Sequence, residues 1–298
     1  MKTKIILRLD EFTSFTSYYL ESLWGKYFDI EWYDPSKTYD QLMTLFVVWW
    51  QNANDDYSKN LRDHGFKVVV DNLWEVSTGR TDYYWLENSN WYWYNESLWW
   101  RSMGYHKYQP NKQYSKLAFM PISRVSDTRN KIVSKLTSML DNFIWSYRDK
   151  KLPNDIDSTD NQYYRFFNPE WYDNTYFSAV VETQQHGSRH WATEKTFKAY
   201  AYHHPFLLIG QYHTLKKLKQ LGFETYNNIF DESYDDIVDF DSRLNAVIKN
   251  IDNFNPVPYD SETQRRLQHN HDHFFDQVLV ESRIISEIIE PLLDYAKI

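Results

Sequence analysis

Short apolar runs alternate along this chain with segments whose apolar positions recur three or four residues apart. In the first third, KIILRL (4–9), FDIEWY (28–33), LMTLFVVWW (42–50) and FKVVVDN (66–72) have strand length and are rich in β-branched and aromatic residues. Between them, SFTSYYLESLWGKY (14–27) carries helical spacing, as does NDDYSKNLRDHG (54–65), which closes on Gly65. The stretch GYHKYQPNKQYSK (104–116) breaks the pattern with polar, turn-prone residues. A second alternating block follows: strand LAFMPI (117–122), helix DTRNKIVSKLTSML (127–140), strand FIWSY (143–147), strand YFSAVVET (176–183), a helix opening at Thr193, strand PFLLIG (205–210) and helix HTLKKLKQLG (213–222). Two helical segments, 261–275 and 280–298, close the chain.

Strands that alternate with helices predict right-handed crossovers and parallel sheets covered on both faces. The expected fold class is therefore α/β, as two Rossmann-like domains, 1–113 and 114–298, facing a central cleft; a single larger sheet is the alternative. The length of 298 residues agrees with roughly two domains. With 42% hydrophobic residues, 7 Gly and 9 Pro, the chain is globular in composition. The longest apolar run, LFVVWW (45–50), is far too short to span a bilayer, and residues 1–12 lack a signal-peptide core. A soluble, cytoplasmic protein with no membrane association is expected.

In open α/β sheets, ligands bind beyond the carboxyl ends of the strands, where loops lead into helix N-termini. The second block places suitable donor-binding groups there: Arg124 and Arg129 after LAFMPI, Glu182 and Thr183 after YFSAVV, and Thr193, Glu194 and Lys195 at the next helix start, with Lys198 one turn on. Thr193 reads as an N-cap, Glu194 suits the helix dipole and Lys195 opposes it. A bound phosphate would reverse that sign, because backbone N–H groups, dipole and ammonium would all favour it. Glu194 is suited to a different partner, the diol of a ribose. A carboxylate for ribose beside cations for diphosphate is what a nucleotide sugar requires. The competing reading is a solvated Glu194–Lys198 pair at i,i+4, worth a few tenths of a kcal/mol.

Other chemistries lack support. There is no GxGxxG after the first strand, no GxxxxGK[ST] and no GxSxG. The absence of cysteine excludes disulfides, thiolate metal sites and cysteine nucleophiles. His269, His271 and His273 alternate in QHNHDHFF, with His269 and His273 on one helical face; solvent-facing positions are expected rather than a metal site. His203 and His204 are expected as a helix C-terminal pair favoured by the dipole. The net charge of −8 disfavours strong nonspecific nucleic-acid binding. Aromatics reach 19%, and WYWYNESLWW (91–100) is either a stacking platform for a sugar or base, or core.

The segment AVVETQQHGSRHWATEKTFKAYAYHHPFLLIGQYHTLKKLKQLGFETYNNIFDESYD (179–235) resembles the donor-binding half of nucleotide-sugar glycosyltransferases of GT-B architecture. Its order of ET, a gap, TEK, helix, PFLLIG, LGFET and DESYD is similar to phage and environmental glycosyltransferases, including enzymes acting on hydroxymethylated DNA bases, and more distantly to α-1,3-fucosyltransferases. LAFMPISRVSDTRNKIVSKL (117–136) is similar to the family's strand–Arg–helix element. The resemblance implies a metal-independent transferase with no cofactor beyond its nucleotide-sugar substrate. Glu194 would hold the ribose hydroxyls, Lys195 with Arg124 or Arg129 the diphosphate, and Glu182 and Thr183 would border the sugar or phosphate.

A general base on the acceptor hydroxyl would come from the N-terminal domain. Asp10 and Glu11, after the first strand, are the leading candidates, followed by Asp71 and Glu75. A hydroxymethylated pyrimidine such as 5-hydroxymethylcytosine in phage DNA and a glycan are both open as acceptors, as are inverting and retaining chemistry. A noncatalytic carbohydrate- or nucleotide-binding protein is the reading outside the enzyme class.

Overall fold

The computed structural model describes residues 3–8, 23–32, 34, 36–38, 44–49, 63, 67–71, 84–86, 90–122, 125–152, 168–186 and 192–297. The chain divides into two compact units, Met1–Met103 with Asp276–Ile298, and Gly104–Phe275. The first therefore ends earlier than residue 113, and the closing helical residues from Asp276 belong with it.

In the first unit, strands β1 (Thr3–Arg8), β2 (Phe28–Trp32), β3 (Thr44–Trp49), β4 (Lys67–Asp71) and β5 (Tyr84–Leu86) form one sheet. Its order is β2-β1-β3-β4-β5 and every pairing is parallel. That is a doubly wound order whose direction reverses between β1 and β3. The first four strands match the apolar runs; β5, only three residues long, is not anticipated.

WYWYNESLWW is a helix, α1 (Trp91–Ser102), and it belongs to the core rather than to a stacking platform. Trp93, Tyr94 and Trp100 have no exposed surface, and Asn95, Glu96 and Ser97 are buried with them. Helix α8 (Gln277–Ile284), a π turn (Ile285–Ile289) and α9 (Glu290–Lys297) complete this unit. Tyr94 Oη donates to Glu287 Oε2 at 2.6 Å, and the Arg283 guanidinium lies over the Trp93 ring, 5.3 Å from its centroid. Pro291, lacking an N–H and crowding the carbonyl four residues back, accounts for the helix widening into that π turn.

The second unit carries β6 (Lys116–Pro121), α2 (Asp127–Leu136), β7 (Phe143–Ser146), α3 (Pro169–Asp173), β8 (Thr175–Val181), α4 (Glu194–Ala201), β9 (Phe206–Ile209), α5 (Thr214–Gln220), α6 (Phe240–Asn253) and α7 (Ser261–Phe274). Its sheet runs β7-β6-β8-β9, again wholly parallel. The fold is thus mixed α/β with two parallel sheets. In this second sheet the order reverses between β6 and β8, and a ligand crevice is expected at their carboxyl ends. β8 and β9 are the centre of the core, with Phe177, Ala179, Leu207 and Leu208 essentially inaccessible.

The histidines serve the packing of this unit. His269 Nε2 and His273 Nε2 donate to the carbonyls of Gly222 (3.0 Å) and Leu221 (2.9 Å), capping the end of α5. Gly222 has φ 95°, and a Cβ there would stand 2.7 Å from His273 Cε1, so any other residue is strained and must push that ring aside. Neither His203 nor His204 is the surface cation expected from the helix dipole. His204 is fully buried. Its Nε2 donates to the Thr175 carbonyl at 3.0 Å, which leaves Nδ1 to accept from Ser178 Oγ at 2.8 Å. His203 stacks on His271, with centroids 4.0 Å apart and planes at 18°. Burial pushes His203 down to about 3, assisted by His271 and Lys112 and opposed by Asp272.

These histidines fold as neutral rings and protonate once exposed. Their stabilising contribution is complete above the unfolded value near 6.5 and is lost as pH falls below it. Urea unfolding at pH 7.5 and pH 5 should show wild type losing roughly 2 kcal/mol through His203 alone, and His203→Phe should lose correspondingly less.

Candidate functional site

The two halves of the ET…TEK pattern meet at the carboxyl end of β8. The Glu182 carboxylate, with no exposed surface, accepts from Thr193 N (2.8 Å) and Thr196 Oγ1 (2.6 Å) through Oε1, and from Thr193 Oγ1 (2.6 Å) through Oε2. An acidic side chain at the end of a strand thereby holds the N-terminus of the next helix, where the dipole favours an anion. Thr193 caps that helix, its Oγ1 accepting from Lys195 N at 3.4 Å.

Lys195 folds back over this turn rather than extending into solvent. Its ammonium donates to Thr183 Oγ1 (3.2 Å), Thr193 Oγ1 (3.1 Å) and Glu194 Oε1 (2.8 Å), which occupies all three of its hydrogens. The side chains of Glu194 and Lys195 are only 13% and 15% exposed. Burial would push the Glu194 carboxyl up, but Lys195, then Lys198, hold it below the usual carboxylate range. It is an anion at neutral pH, next to a committed cation, at a strand end and a helix start. Chemically, the pair can exchange its internal hydrogen bonds for a ligand that offers hydroxyl donors to one side chain and anionic oxygens to the other.

Arg129 lies in the first turn of α2, after the carboxyl end of β6, and is 5% exposed, with its N–H held by Ser126 Oγ at 3.2 Å. β6 and β8 are neighbours, so α2 and α4 both start at the same edge of the sheet. Lys198, one turn into α4, acts on Glu194 through space. Arg124, Asp10, Glu11 and Glu75 lie outside the described residues, and of Asp71 only the backbone, as the last residue of β4, is described. Glu182 and Thr183 are placed as the support of Thr193 and Lys195.

Several residues of this region are not anticipated by the sequence reading. The DESYD segment (231–235) is scaffold: Glu232 accepts from Thr225, Tyr226 and Lys219, Tyr234 Oη accepts from Leu208 N, and Asp235 caps α5 through the N–H groups of Leu215 and Lys216. Arg243, on a helix that the reading omits, donates to carbonyls of Gln185 and Gly210 next to the site. The signal for that helix is present: Asp239 as cap, then Phe240, Leu244, Val247 and Ile251 at helical spacing, all four buried. Among the described residues no group of three or more His, Asp or Glu is arranged to hold a metal ion, and no helix is long and apolar enough to cross a membrane.

No family model matches this chain, and no curated protein matches its sequence. Among solved structures, the crystal structure of an α1,3-fucosyltransferase is similar, with a TM-score of 0.49 and 13% identity over 92% of this chain and 90% of that one. The architecture described above stands on this chain's own strand pairing and not on that likeness.

Glu182→Gln would turn an amide N–H towards groups that are themselves donors. Equilibrium urea unfolding should show a loss of about 2 kcal/mol, whereas Lys198→Gln, on the same helix, should cost less than about 0.5 kcal/mol.

Proposed function

We propose that this protein is a glycosyltransferase that moves a sugar from a nucleoside-diphosphate donor to an acceptor hydroxyl. The observation that carries the reading is the Glu194–Lys195 pair: a carboxylate kept ionised and an ammonium, side by side, at the carboxyl end of β8 and the N-terminus of α4. Carboxylates accept two hydroxyls readily, and a helix N-terminus with an adjacent cation favours pyrophosphate. The ET…TEK pattern, which resembles GT-B donor domains, supports the same assignment.

In this reading Glu194 binds the ribose diol. Lys195 releases Glu194 or a threonine hydroxyl and turns its hydrogens to the diphosphate, with Arg129 and Arg124 as further cations from the α2 side. The bond between the anomeric carbon and the diphosphate oxygen breaks through an oxocarbenium-like state, and fixed positive charge stabilises the departing oxygen. The acceptor oxygen bonds to the anomeric carbon, and its proton passes to a carboxylate, for which Asp10 and Glu11 are the candidates. The acceptor is a hydroxyl of a glycan or of a hydroxymethylated pyrimidine in DNA; the net charge of −8 favours the glycan.

UDP, GDP and dTDP, each with and without a sugar, are the first ligands to screen by thermal shift and calorimetry. One of them should raise Tm, and Lys195→Met should weaken its binding by about tenfold or more, in keeping with loss of a charge-assisted hydrogen bond. Glu194→Gln should weaken nucleoside diphosphates, which lose the ribose contact, without weakening pyrophosphate, whose only gain is the ammonium that Glu194 holds. Asp10→Asn or Glu11→Gln should abolish transfer while retaining donor affinity; retention of transfer in both would remove the base assignment. If none of the nucleotides shifts Tm, the donor-site reading is wrong.

A further inference from the structure

Arg243 is 3% exposed, and its guanidinium donates to four main-chain carbonyls: Nε to Gly210 (3.0 Å), NH2 to Gln185 (2.8 Å), and NH1 to Val238 (2.9 Å) and Ile237 (2.5 Å). Asp235 and Asp239 act on it at longer range, and its fork also lies 5.6 Å from the Phe240 ring centroid. A buried charge is costly unless its hydrogen-bonding groups are satisfied. Here the acceptors come from three separate stretches of chain.

Two of those stretches border the candidate site. Gln185 belongs to the turn that begins with Glu182 and Thr183, and its own side chain closes that turn by donating to the Glu182 carbonyl. Gly210 follows β9, and its backbone lies so near Glu182 that an added Cβ would stand 3.4 Å from Glu182 Cβ. A second tie joins the same two loops, from Gln211 Nε2 to the His186 carbonyl at 2.5 Å. Glu182 in turn positions Thr193 and Thr196, and Thr183 holds Lys195. The chain of contacts runs from Arg243 to the ammonium without a gap.

We propose that Arg243 is a positioning residue of the donor site, fixing the Gln185 and Gly210 carbonyls and through them the turn on which Thr193, Glu194 and Lys195 depend. This role rests on the donor-site reading above. A planar guanidinium presents five N–H donors in a fixed fork; a lysine has three donors on one atom and cannot reach the same set.

The test uses the full chain as wild type, Arg243→Lys and Gly222→Ala. The last is a control that lowers Tm from the far end of α5 without touching the site. Nucleoside-diphosphate affinity is measured by calorimetry, and hydrogen exchange is followed in peptides covering 182–186. Arg243→Lys should exchange faster in that turn and bind the nucleotide about tenfold or more weakly, while Gly222→Ala binds as wild type does. An Arg243→Lys protein with wild-type exchange and affinity overturns the proposal, as does equal weakening in Gly222→Ala. If wild type itself binds no nucleoside diphosphate, the donor reading falls and this role with it; exchange in the turn then reports only the tie. Should Arg243→Lys not fold, Gln211→Met removes the second tie: faster exchange with weaker binding supports the role, and wild-type behaviour in both overturns it.

Discussion

A single carboxylate organises the second unit. Glu182 sits where a central parallel strand ends, without solvent contact, and its two oxygens take up an N–H and two hydroxyls at the start of α4. Isolated, such a charge would be expelled from the interior; here three donors and the positive end of a helix compensate it. Because the same residue is rooted in the sheet through its main chain, which donates to Ile209, strand and helix are locked in one register. Thr193, Glu194 and Lys195 inherit their positions from that lock.

The surrounding scaffold follows the same logic of polar side chains satisfied by backbone. Arg243 is surrounded by carbonyls, Asp235 by the N–H groups that open α5, and His269 and His273 by the carbonyls that end it. Polar side chains here complete the unpaired main-chain groups that parallel strands and short helices leave at their ends. The aromatic residues supply the apolar bulk between them. Tyr172 stacks on Tyr202 at 4.5 Å and Tyr200 on Phe223 at 4.4 Å, which uses those rings internally.

Much of this architecture is legible in the sequence, because runs such as KVVV and FLLI have no amphipathic alternation and so announce strands covered on both faces. The N-cap at Thr193, the closing glycine at 222 and the grouping of ET with TEK follow from local chemistry and strand-end placement. What sequence does not reveal is long-range pairing. His203 meets His271 across many residues, and nothing in its local spacing marks it as a buried neutral ring rather than a helix-end cation. The cluster WYWYNESLWW looks equally suited to surface or interior until its partners on α8 and the following turn are known. The division of the chain is similar: a polar stretch marks where the pattern breaks, but only tertiary contact shows that the last helices return to the first unit.

The ammonium of Lys195 has a consequence for selectivity. With every hydrogen already bound to Thr183, Thr193 and Glu194, it is solvated by its own neighbours as fully as it would be by water. A stray chloride or sulfate gains little by displacing them, since each new contact replaces an existing one. On the donor-site proposal, the exchange is favoured by a molecule that also gives the released carboxylate a hydroxyl, so the turn would discriminate against lone simple ions in favour of a ligand of mixed character.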